Sequence, residues 1–243
     1  MTSLDWALVV PMANEEAEFQ EFIAVVSKTL TQIGSGKVYL VVDNVSRDRT
    51  LELCRELSAA DPRFVAVWAP ENRNVVDAYL RGYREALKGG HAFVIEMDAG
   101  LSHDPAALPV FLQHLSAGYE CVFGSRFLPE QSGGEWQAQR KFLSQGGTFL
   151  ANLLLGTKLY DMTSGYQGFS RAVAERFAAY PLRSRAHFYQ TELRYLVRRY
   201  RAIETPITYR APSPSVSRKA IVNSFEVLFH YFWLRVTARS VSL

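Results

Sequence analysis

The sequence predicts an α/β fold with a mostly parallel sheet flanked by helices, for three reasons. Short apolar runs have the length and composition of buried strands. Segments with apolar residues at helical spacing lie between them. Strands that alternate with helices are typical of parallel sheets covered on both faces. The predicted strands span 6–10, 38–42, 64–68, 92–97, 121–123 and 203–209, and the predicted helices span 19–33, 50–60, 75–87, 105–115, 140–155, 172 onward, 187–200 and 219–238.

The bulk composition fits one large globular domain with a short appendage. The chain has 243 residues, 48% of them apolar, and a formal net charge of +3. We predict a domain over 1–212 and an amphipathic helix over 213–243. The weak net charge does not argue for a nucleic-acid partner, and none is expected. Cys54 and Cys121 fit no metal spacing, which indicates buried free thiols in a reducing compartment.

Polar side chains follow several of the predicted strands. Glu15 follows the first strand, Asp43 ends the second, Asp98 ends the fourth and Arg126 follows the fifth. Open α/β sheets bind ligands beyond the carboxyl ends of their strands, so we expect these side chains in one crevice. The alternative for each Asp is that it caps the following turn or helix.

A second group of residues is basic and suits a phosphate. Arg126 and Arg140, with the hydroxyl of Ser144, have the chemistry to bind a phosphate monoester. Arg218 and Lys219 open the last predicted helix, where backbone amides also favour anions. The alternative is that these cations are only solvated surface charges.

The last helix carries a broad apolar face beside several cations. No run of about 18 apolar residues exists to span a bilayer, and the N-terminus lacks the pattern of a signal peptide. The helix therefore fits the interface of a membrane, or it packs into the core or forms a homodimer. Its apolar residues are Ile221, Val222, Phe225, Leu228, Phe229, Phe232, Trp233 and Val236.

Seven motifs occur in order along the chain and carry a resemblance to a known family. They are "VVPMANEE" (9–16), "VVDNVSRDRT" (41–50), "EMDAGLSHDP" (96–105), "GSRF" (124–127), "RKFLSQGGTFLANLLLG" (140–156), "DMTSGYQGFSR" (161–171) and "HFYQTE" (187–192). In this order and spacing the chain resembles the family 2 glycosyltransferases. Within them it resembles the dolichol-phosphate mannose synthase and polyprenyl-phosphate glycosyltransferase group.

The resemblance implies a GT-A fold and an inverting transfer from a UDP- or GDP-sugar, GDP-mannose or a UDP-hexose, to a polyprenyl or dolichyl phosphate. By the same resemblance, Pro11, Glu15 and Asp43 contact the nucleoside, and Asp98 binds a divalent metal, Mg²⁺ or Mn²⁺. Arg126, Arg140 and Ser144 hold the lipid phosphate and, with Asp98, are expected to carry the transfer. The implied donor site further includes Ala13, Asn44, Gly100, Ser102, Gln190, Arg210, Arg218 and Lys219.

Several positions depart from the family pattern. Ala13 stands where an aromatic residue is common, and Asn44 replaces an Asp. Gly100 replaces the second Asp of the metal loop, and Ser102 stands where a Gln can assist. We therefore expect weakened metal binding, with Arg218 and Lys219 as an alternative counter-charge for the diphosphate.

Two other functions stay open at this point. One is a glycosyltransferase with a small soluble acceptor, and the other is a nucleotide-binding protein without turnover. For the leading function we expect a cytoplasmic protein, peripheral at the inner face of a membrane through its last helix.

Overall fold

A computed structural model describes residues 5–34, 36–128, 138–209 and 217–243, with the side chains of 138–143 outside the description. The described strands form one seven-stranded sheet in the order β3-β2-β1-β4-β6-β5-β7. The strands are β1 (Trp6–Met12), β2 (Lys37–Val42), β3 (Phe64–Trp68), β4 (Phe93–Glu96), β5 (Cys121–Ser125), β6 (Gln167–Ser170) and β7 (Ala202–Pro206). The helices are α1 (Phe19–Ile33), α2 (Thr50–Ala60), α3 (Val75–Lys88), α4 (Leu108–Ser116), α5 (Ala138–Leu155), α6 (Arg171–Ala179), α7 (Tyr189–Leu196) and α8 (Arg218–Val236).

The sheet is parallel except at β6, which runs antiparallel to both β4 and β5. The predicted α/β fold with a mostly parallel sheet is confirmed. The predicted strands did not include β6, because the stretch 160–171 was interpreted as a turn-rich connection; Gln167–Ser170 is a strand. A four-residue strand containing glycine has no clear alternation, and its backbone pairing comes from two distant neighbours. An added Cβ at Gly168 would lie 3.2 Å from the side chains of Ile95 and Phe111, so β6 packs closely against both.

The sequence predicted that the first strand ends before Pro11, and this prediction was wrong. Strand β1 continues to Met12 and pairs with β2 through Pro11 and Met12. Its pairing with β4 ends at Val9, so the far end of β1 has a neighbouring strand on one side only. Proline has no backbone N–H to donate to a second neighbouring strand. It is therefore tolerated where that second neighbour is missing.

The sheet is buried on both faces, as expected for parallel strands covered by helices. Alternate residues of β1 point to opposite sides. Leu8 packs in a core with Phe22 and Val26 of α1, whereas Val9 packs in a second core with Tyr79 and Tyr83 of α3. Full burial of each large apolar side chain contributes about 1.5–3 kcal/mol. These two cores fix the strand ends at which the polar residues lie.

The last helix packs against α5 around a third, smaller core. Val227, Leu228 and Tyr231 of α8 are buried together with Ala151 and Leu155 of α5. The predicted helix is confirmed, although the boundary at residues 212 and 213 lies outside the described residues and stays a prediction. Among the described helices, none combines the length and the apolar character needed to cross a bilayer. Both cysteines are free and buried, as predicted.

Candidate active site

Two loops meet beyond the ends of β1 and β2. Asp48 accepts hydrogen bonds from the backbone amide of Glu16 (3.0 Å) and from the hydroxyl of Thr50 (2.6 Å). Thr50 Oγ1 in turn accepts a hydrogen bond from the amide of Glu15 at 2.8 Å. Asp48 therefore holds the Glu15 loop against the start of α2, a role that sequence reasoning missed.

The residues expected to contact the nucleoside surround this junction. Pro11 is half-buried and Ala13 is exposed. Asp43 is buried, and its Oδ1 accepts a hydrogen bond from the Val45 amide at 2.9 Å. Asn44 is exposed and donates from Nδ2 to the carbonyl of Pro70 at 2.5 Å. The structure thus gives Asp43 the turn-stabilising role that was the alternative, and its contact with a nucleoside stays a prediction.

Asp98 lies just beyond β4, with a third of its side chain exposed (33%). The hydroxyl of Tyr79, from α3, donates a hydrogen bond to its Oδ1. On the other side, a Cβ added to Gly165 would lie 2.9 Å from Oδ2. Asp98 is therefore fixed by Tyr79 and lies closely against the backbone at Gly165.

Gly100 occupies a left-handed backbone conformation with φ at +71°. A Cβ at this position would lie 3.1 Å from Glu18 Oε2 and 3.4 Å from Glu15 Oε2. Burial and, to a smaller extent, the negative charges of Glu18, Asp48 and Asp98 together raise the pKa of Glu15 to about 7. Carboxylates of the loop that precedes α1 thus border the space that a side chain at 100 would enter.

His103 is buried beside Asp98, with its Nδ1 3.6 Å from Asp98 Oδ2. Its ring lies 5.6 Å from the rings of both Tyr166 and Tyr209. Burial lowers the pKa of His103, and the nearby Asp98 opposes that effect. His103 was not among the predicted site residues, and neither of its ring nitrogens has a hydrogen-bond partner among the described residues. Its neighbour Ser102 is also buried.

Arg126 lies just beyond β5 and pairs with a buried aspartate. Its Nε and Nη2 donate to the two carboxylate oxygens of Asp161 at 2.6 and 2.9 Å. Nη2 also donates to Thr163 Oγ1 at 2.5 Å. Burial by itself would raise the pKa of Asp161, but the guanidinium of Arg126 lowers it to about 2. The arginine is therefore held in one orientation, and the residues that hold it were not among those predicted.

The segment 161–165 joins the two ends of this site. Asp161 and Thr163 hold Arg126, while Gly165 lies against Asp98. The segment is supported from α7, because Thr191 donates to the carbonyl of Met162 at 2.7 Å. It therefore sets the spacing between the Asp98 carboxylate and the Arg126 guanidinium.

Helix α5 lies next to the same segment. The amide of Met162 donates to Thr148 Oγ1 at 3.1 Å. Ser144, one turn earlier on α5, is half-buried. The side chain of Arg140 and all of Arg210 lie outside the described residues, so their roles stay predictions.

The predicted residues of α7 are buried and form part of the supporting layer. Glu192 accepts hydrogen bonds from the amides of Arg183 (2.9 Å) and Ser184 (2.8 Å) and from Tyr231 (2.7 Å). Gln190 is buried, and its Oε1 has no partner in the described part of the chain. Its expected contact with the donor stays a prediction.

A buried carboxyl group lies beneath Asp98. Glu96 accepts hydrogen bonds from Gln167 Nε2 (2.7 Å) and from the hydroxyl of Tyr189. Tyr189 stacks on Tyr79 with ring centroids 5.1 Å apart. Burial raises the pKa of Glu96 to about 8, although the hydrogen bonds from Tyr189 and Gln167 act in the other direction. Tyr79, which donates to Asp98, is therefore held in place by Tyr189, which is itself hydrogen-bonded to Glu96.

Arg218 and Lys219 are exposed at the first turn of α8. They line an open groove of about 940 Å³ together with Arg183 and Arg185. Four cations and the first turn of a helix make this groove electropositive. Whether these residues neutralise a diphosphate stays a prediction.

Comparison with known proteins identifies the family. The family model described as Glycosyl transferase family 2 matches residues 7–177, which include β1 to β6 and the segment 161–165. The chain belongs to glycosyl transferase family 2. The predicted family and enzyme class are thereby confirmed.

Three similar proteins within this family transfer mannose, by their names. Polyprenol monophosphomannose synthase from Mycolicibacterium smegmatis is 30% identical over 225 residues, covering 91% of this chain and 83% of that protein. Undecaprenyl-phosphate mannosyltransferase from Micrococcus luteus is 30% identical over 172 residues, covering 70% of each chain. Dolichol-phosphate mannosyltransferase from Pyrococcus furiosus is 26% identical, covering 94% of this chain and 63% of that protein.

Solved structures of the same fold include glucosyl-3-phosphoglycerate synthase from Mycobacterium tuberculosis. Its complex with Mn²⁺, UDP-glucose and phosphoglyceric acid superposes with a TM-score of 0.66 at 18% identity, covering 96% of this chain and 79% of that one. At this identity the likeness concerns the fold alone. The predicted fold class is confirmed by it.

Proposed function

We propose that this chain transfers a hexose, with inversion, from a nucleotide-sugar to the phosphate of a polyprenyl lipid. The observation that carries the proposal is the segment 161–165, which places the Asp98 carboxylate and the Arg126 guanidinium on either side of one short stretch. One end suits the diphosphate of a donor and the other suits the phosphate of an acceptor. The three mannosyltransferases similar to most of this chain carry names that agree with this pairing.

The donor end needs a counter-charge for the departing diphosphate. Asp98 is oriented by Tyr79 and partly exposed, so it is available to hold a divalent cation. Such a cation, when bound, neutralises charge on the diphosphate as it leaves. The role of the protein is to fix Asp98, and with it the position of the donor.

The acceptor end needs a positioned phosphate more than it needs a base. A phosphate monoester is already an anion and a nucleophile, so little proton transfer is required of the protein. Arg126 is preorganised by Asp161 and Thr163, which removes the entropy cost of orienting a long side chain on binding. Ser144 and Arg140 on α5 are proposed to complete the phosphate site.

The proposed acceptor is membrane-borne, and the surface beside α5 suits a lipid interface. Phe149 and Leu153 of α5 are 69% and 61% exposed, and Phe229 and Trp233 of α8 are 55% and 65% exposed. Several large apolar side chains so exposed on two helices that pack together are unusual for a surface in water. We propose that this surface rests on the inner face of a membrane as a peripheral contact, with the chain in the cytoplasm.

The test is sugar transfer into a lipid-extractable product by the full chain. GDP-mannose, UDP-glucose and UDP-N-acetylglucosamine are each offered with undecaprenyl phosphate, and in parallel with 3-phosphoglycerate as a soluble phosphate acceptor. The proposal predicts radiolabelled product in the lipid phase with one donor and none on the soluble acceptor. Product on the soluble acceptor alone would mean that the acceptor is a small soluble phosphate and not a lipid. Nucleotide binding without any product would mean that the chain is a nucleotide-binding protein without turnover.

A further inference from the structure

We infer that Asp98 and His103 together form a two-ligand site for a divalent cation, in which an imidazole nitrogen takes the place of the carboxylate that Gly100 lacks. This inference rests on the proposed function, because the cation would serve the diphosphate of a nucleotide-sugar. It assigns a ligand role to His103, which was not among the predicted site residues.

The separation of the two ligand atoms fits one bridging ion. His103 Nδ1 and Asp98 Oδ2 are 3.6 Å apart, which is longer than a hydrogen bond between nitrogen and oxygen. Two atoms bonded to one ion at about 2.1 Å lie about 3.0 Å apart at a right angle and about 3.4 Å apart at a tetrahedral angle. A movement of a few tenths of an ångström therefore brings both atoms to bonding distance of the same cation.

The imidazole has unused donor capacity in a place where that is costly. The His103 side chain is 2% exposed, and neither nitrogen has a hydrogen-bond partner among the described residues. Buried polar groups are rarely left unsatisfied without a ligand or a functional reason. Tyr166 and Tyr209 pack near the ring, and an isolated backbone bridge pairs His103 with Tyr209. The ring is thus held in place by packing, with its Nδ1 nearest the Asp98 carboxylate.

Gly100 cannot be replaced simply by the usual second carboxylate. Its φ of +71° disfavours most side chains, and a Cβ there would lie 3.1 Å from the Glu18 carboxylate. A third acid at this point would meet two others, Glu15 and Glu18. The negative charge around the loop is therefore already supplied from another element, while the second ligand atom comes from His103.

The ligand set also predicts the kind of cation. An imidazole nitrogen beside one carboxylate favours a first-row transition metal over Mg²⁺ and Ca²⁺, which prefer all-oxygen sites, and Mn²⁺ is the paramagnetic member of that series chosen as the probe. In the described part of the chain, no group of three or more acidic, histidine or cysteine residues is placed to hold a metal. Two protein ligands leave the remaining positions to diphosphate oxygens and water, so we expect tight binding only together with the nucleotide.

The test detects a nitrogen ligand directly. The full chain is loaded with Mn²⁺ in the presence of GDP, and in parallel UDP, and electron spin echo modulation is recorded. We expect modulation from a directly bonded ¹⁴N, which changes to the ¹⁵N pattern when the protein is labelled with ¹⁵N-histidine. His103→Gln should abolish the modulation and raise the Kd for Mn²⁺ at least 10-fold. His187→Gln, at an exposed histidine, should change neither.

The outcomes separate this inference from the proposed function. The absence of nitrogen modulation from the wild-type Mn²⁺–GDP complex overturns the site. Nitrogen modulation that is unchanged in His103→Gln also overturns it. The ¹⁵N-histidine measurement needs no variant and stays decisive if His103→Gln fails to fold. Nitrogen modulation in a protein that transfers no sugar leaves the site standing and removes the proposed function. Sugar transfer with Mn²⁺ but without the modulation leaves the proposed function standing and removes the site.

Discussion

The N-terminal region, residues 5–128, and the C-terminal region, residues 138–243, treat their apolar side chains differently. In the N-terminal region the exposed large apolar residues are few and scattered, such as Trp68 and Val110. In the C-terminal region they cluster on α5 and α8. The same helical spacing that buries one face of α1 leaves much of the apolar face of α8 exposed. The difference agrees with the membrane contact proposed for this surface.

The two ends of the site also differ in charge. At one end the N-terminal region contributes carboxylates, with Glu15, Glu18 and Asp98 close together. At the other end the N-terminal region contributes Arg126, and the C-terminal region contributes Asp161 and Thr163, which orient it. A carboxylate end suits a cation and its diphosphate, and an arginine end suits a free phosphate. The predictions below test whether this division is real.

The largest effect is expected from Arg126, where the two regions are joined. Arg126→Ala leaves the fully buried carboxylate of Asp161 without its cation. We expect the free energy of unfolding to fall by about 3–5 kcal/mol, as is typical when one partner of a buried ion pair is removed. Chemical denaturation measures this loss.

The companion variant Arg126→Ala/Asp161→Asn removes the unpaired charge and should recover part of that stability. It should not recover sugar transfer, because the guanidinium is still absent. Stability unchanged in Arg126→Ala would contradict the role given to the ion pair.

A smaller effect is expected from the exposed face of α8. Phe229→Glu/Trp233→Glu should reduce flotation with vesicles containing phosphatidylglycerol by 10-fold or more, because each aromatic residue buried in an interface contributes about 1.5–3 kcal/mol. Stability in solution should change little, since both side chains are more than half exposed. Val110→Glu, at an exposed position in the N-terminal region, is the matched control. Equal flotation of all three proteins would remove the proposed membrane contact.

The smallest effect is a pH dependence of stability from Glu96. Its pKa is about 8 in the folded protein, against an ordinary value of 4.5, because of burial. The folded state therefore binds the proton more tightly, and the stabilisation present below pH 4.5 is lost as the pH rises towards 8. Each unit of pKa difference corresponds to about 1.4 kcal/mol, so we expect the free energy of unfolding to decline measurably as the pH rises from 5 to 8.

Glu96→Gln keeps the shape of the side chain and removes the titration. Its free energy of unfolding should be flatter than that of the wild type over the same pH range. Parallel profiles for the two proteins would mean that Glu96 does not titrate in this window.

The sequence by itself determined the order of strands and helices, the two buried faces of the sheet and the family. The spacing and composition of apolar residues suffice for the strands and helices, because a buried element needs apolar side chains at regular positions along its own short stretch. The apolar runs at 6–10 and 38–42 are examples. Motifs at fixed spacing were enough to select Asp98 and Arg126. The short strand β6 escaped detection because its pairing partners, not its own residues, define it.

Only the tertiary structure decided what surrounds each selected residue. Tyr79 on α3, Asp161 before β6 and His103 after β4 are each far in sequence from a residue that they contact, namely Asp98, Arg126 and Tyr166 respectively, and these contacts exist only in the folded chain. Side-chain chemistry can name the candidates for a site. Distance and burial decide which of them act together, because hydrogen bonds, ion pairs and metal ligation all depend on contacts that a linear pattern does not contain.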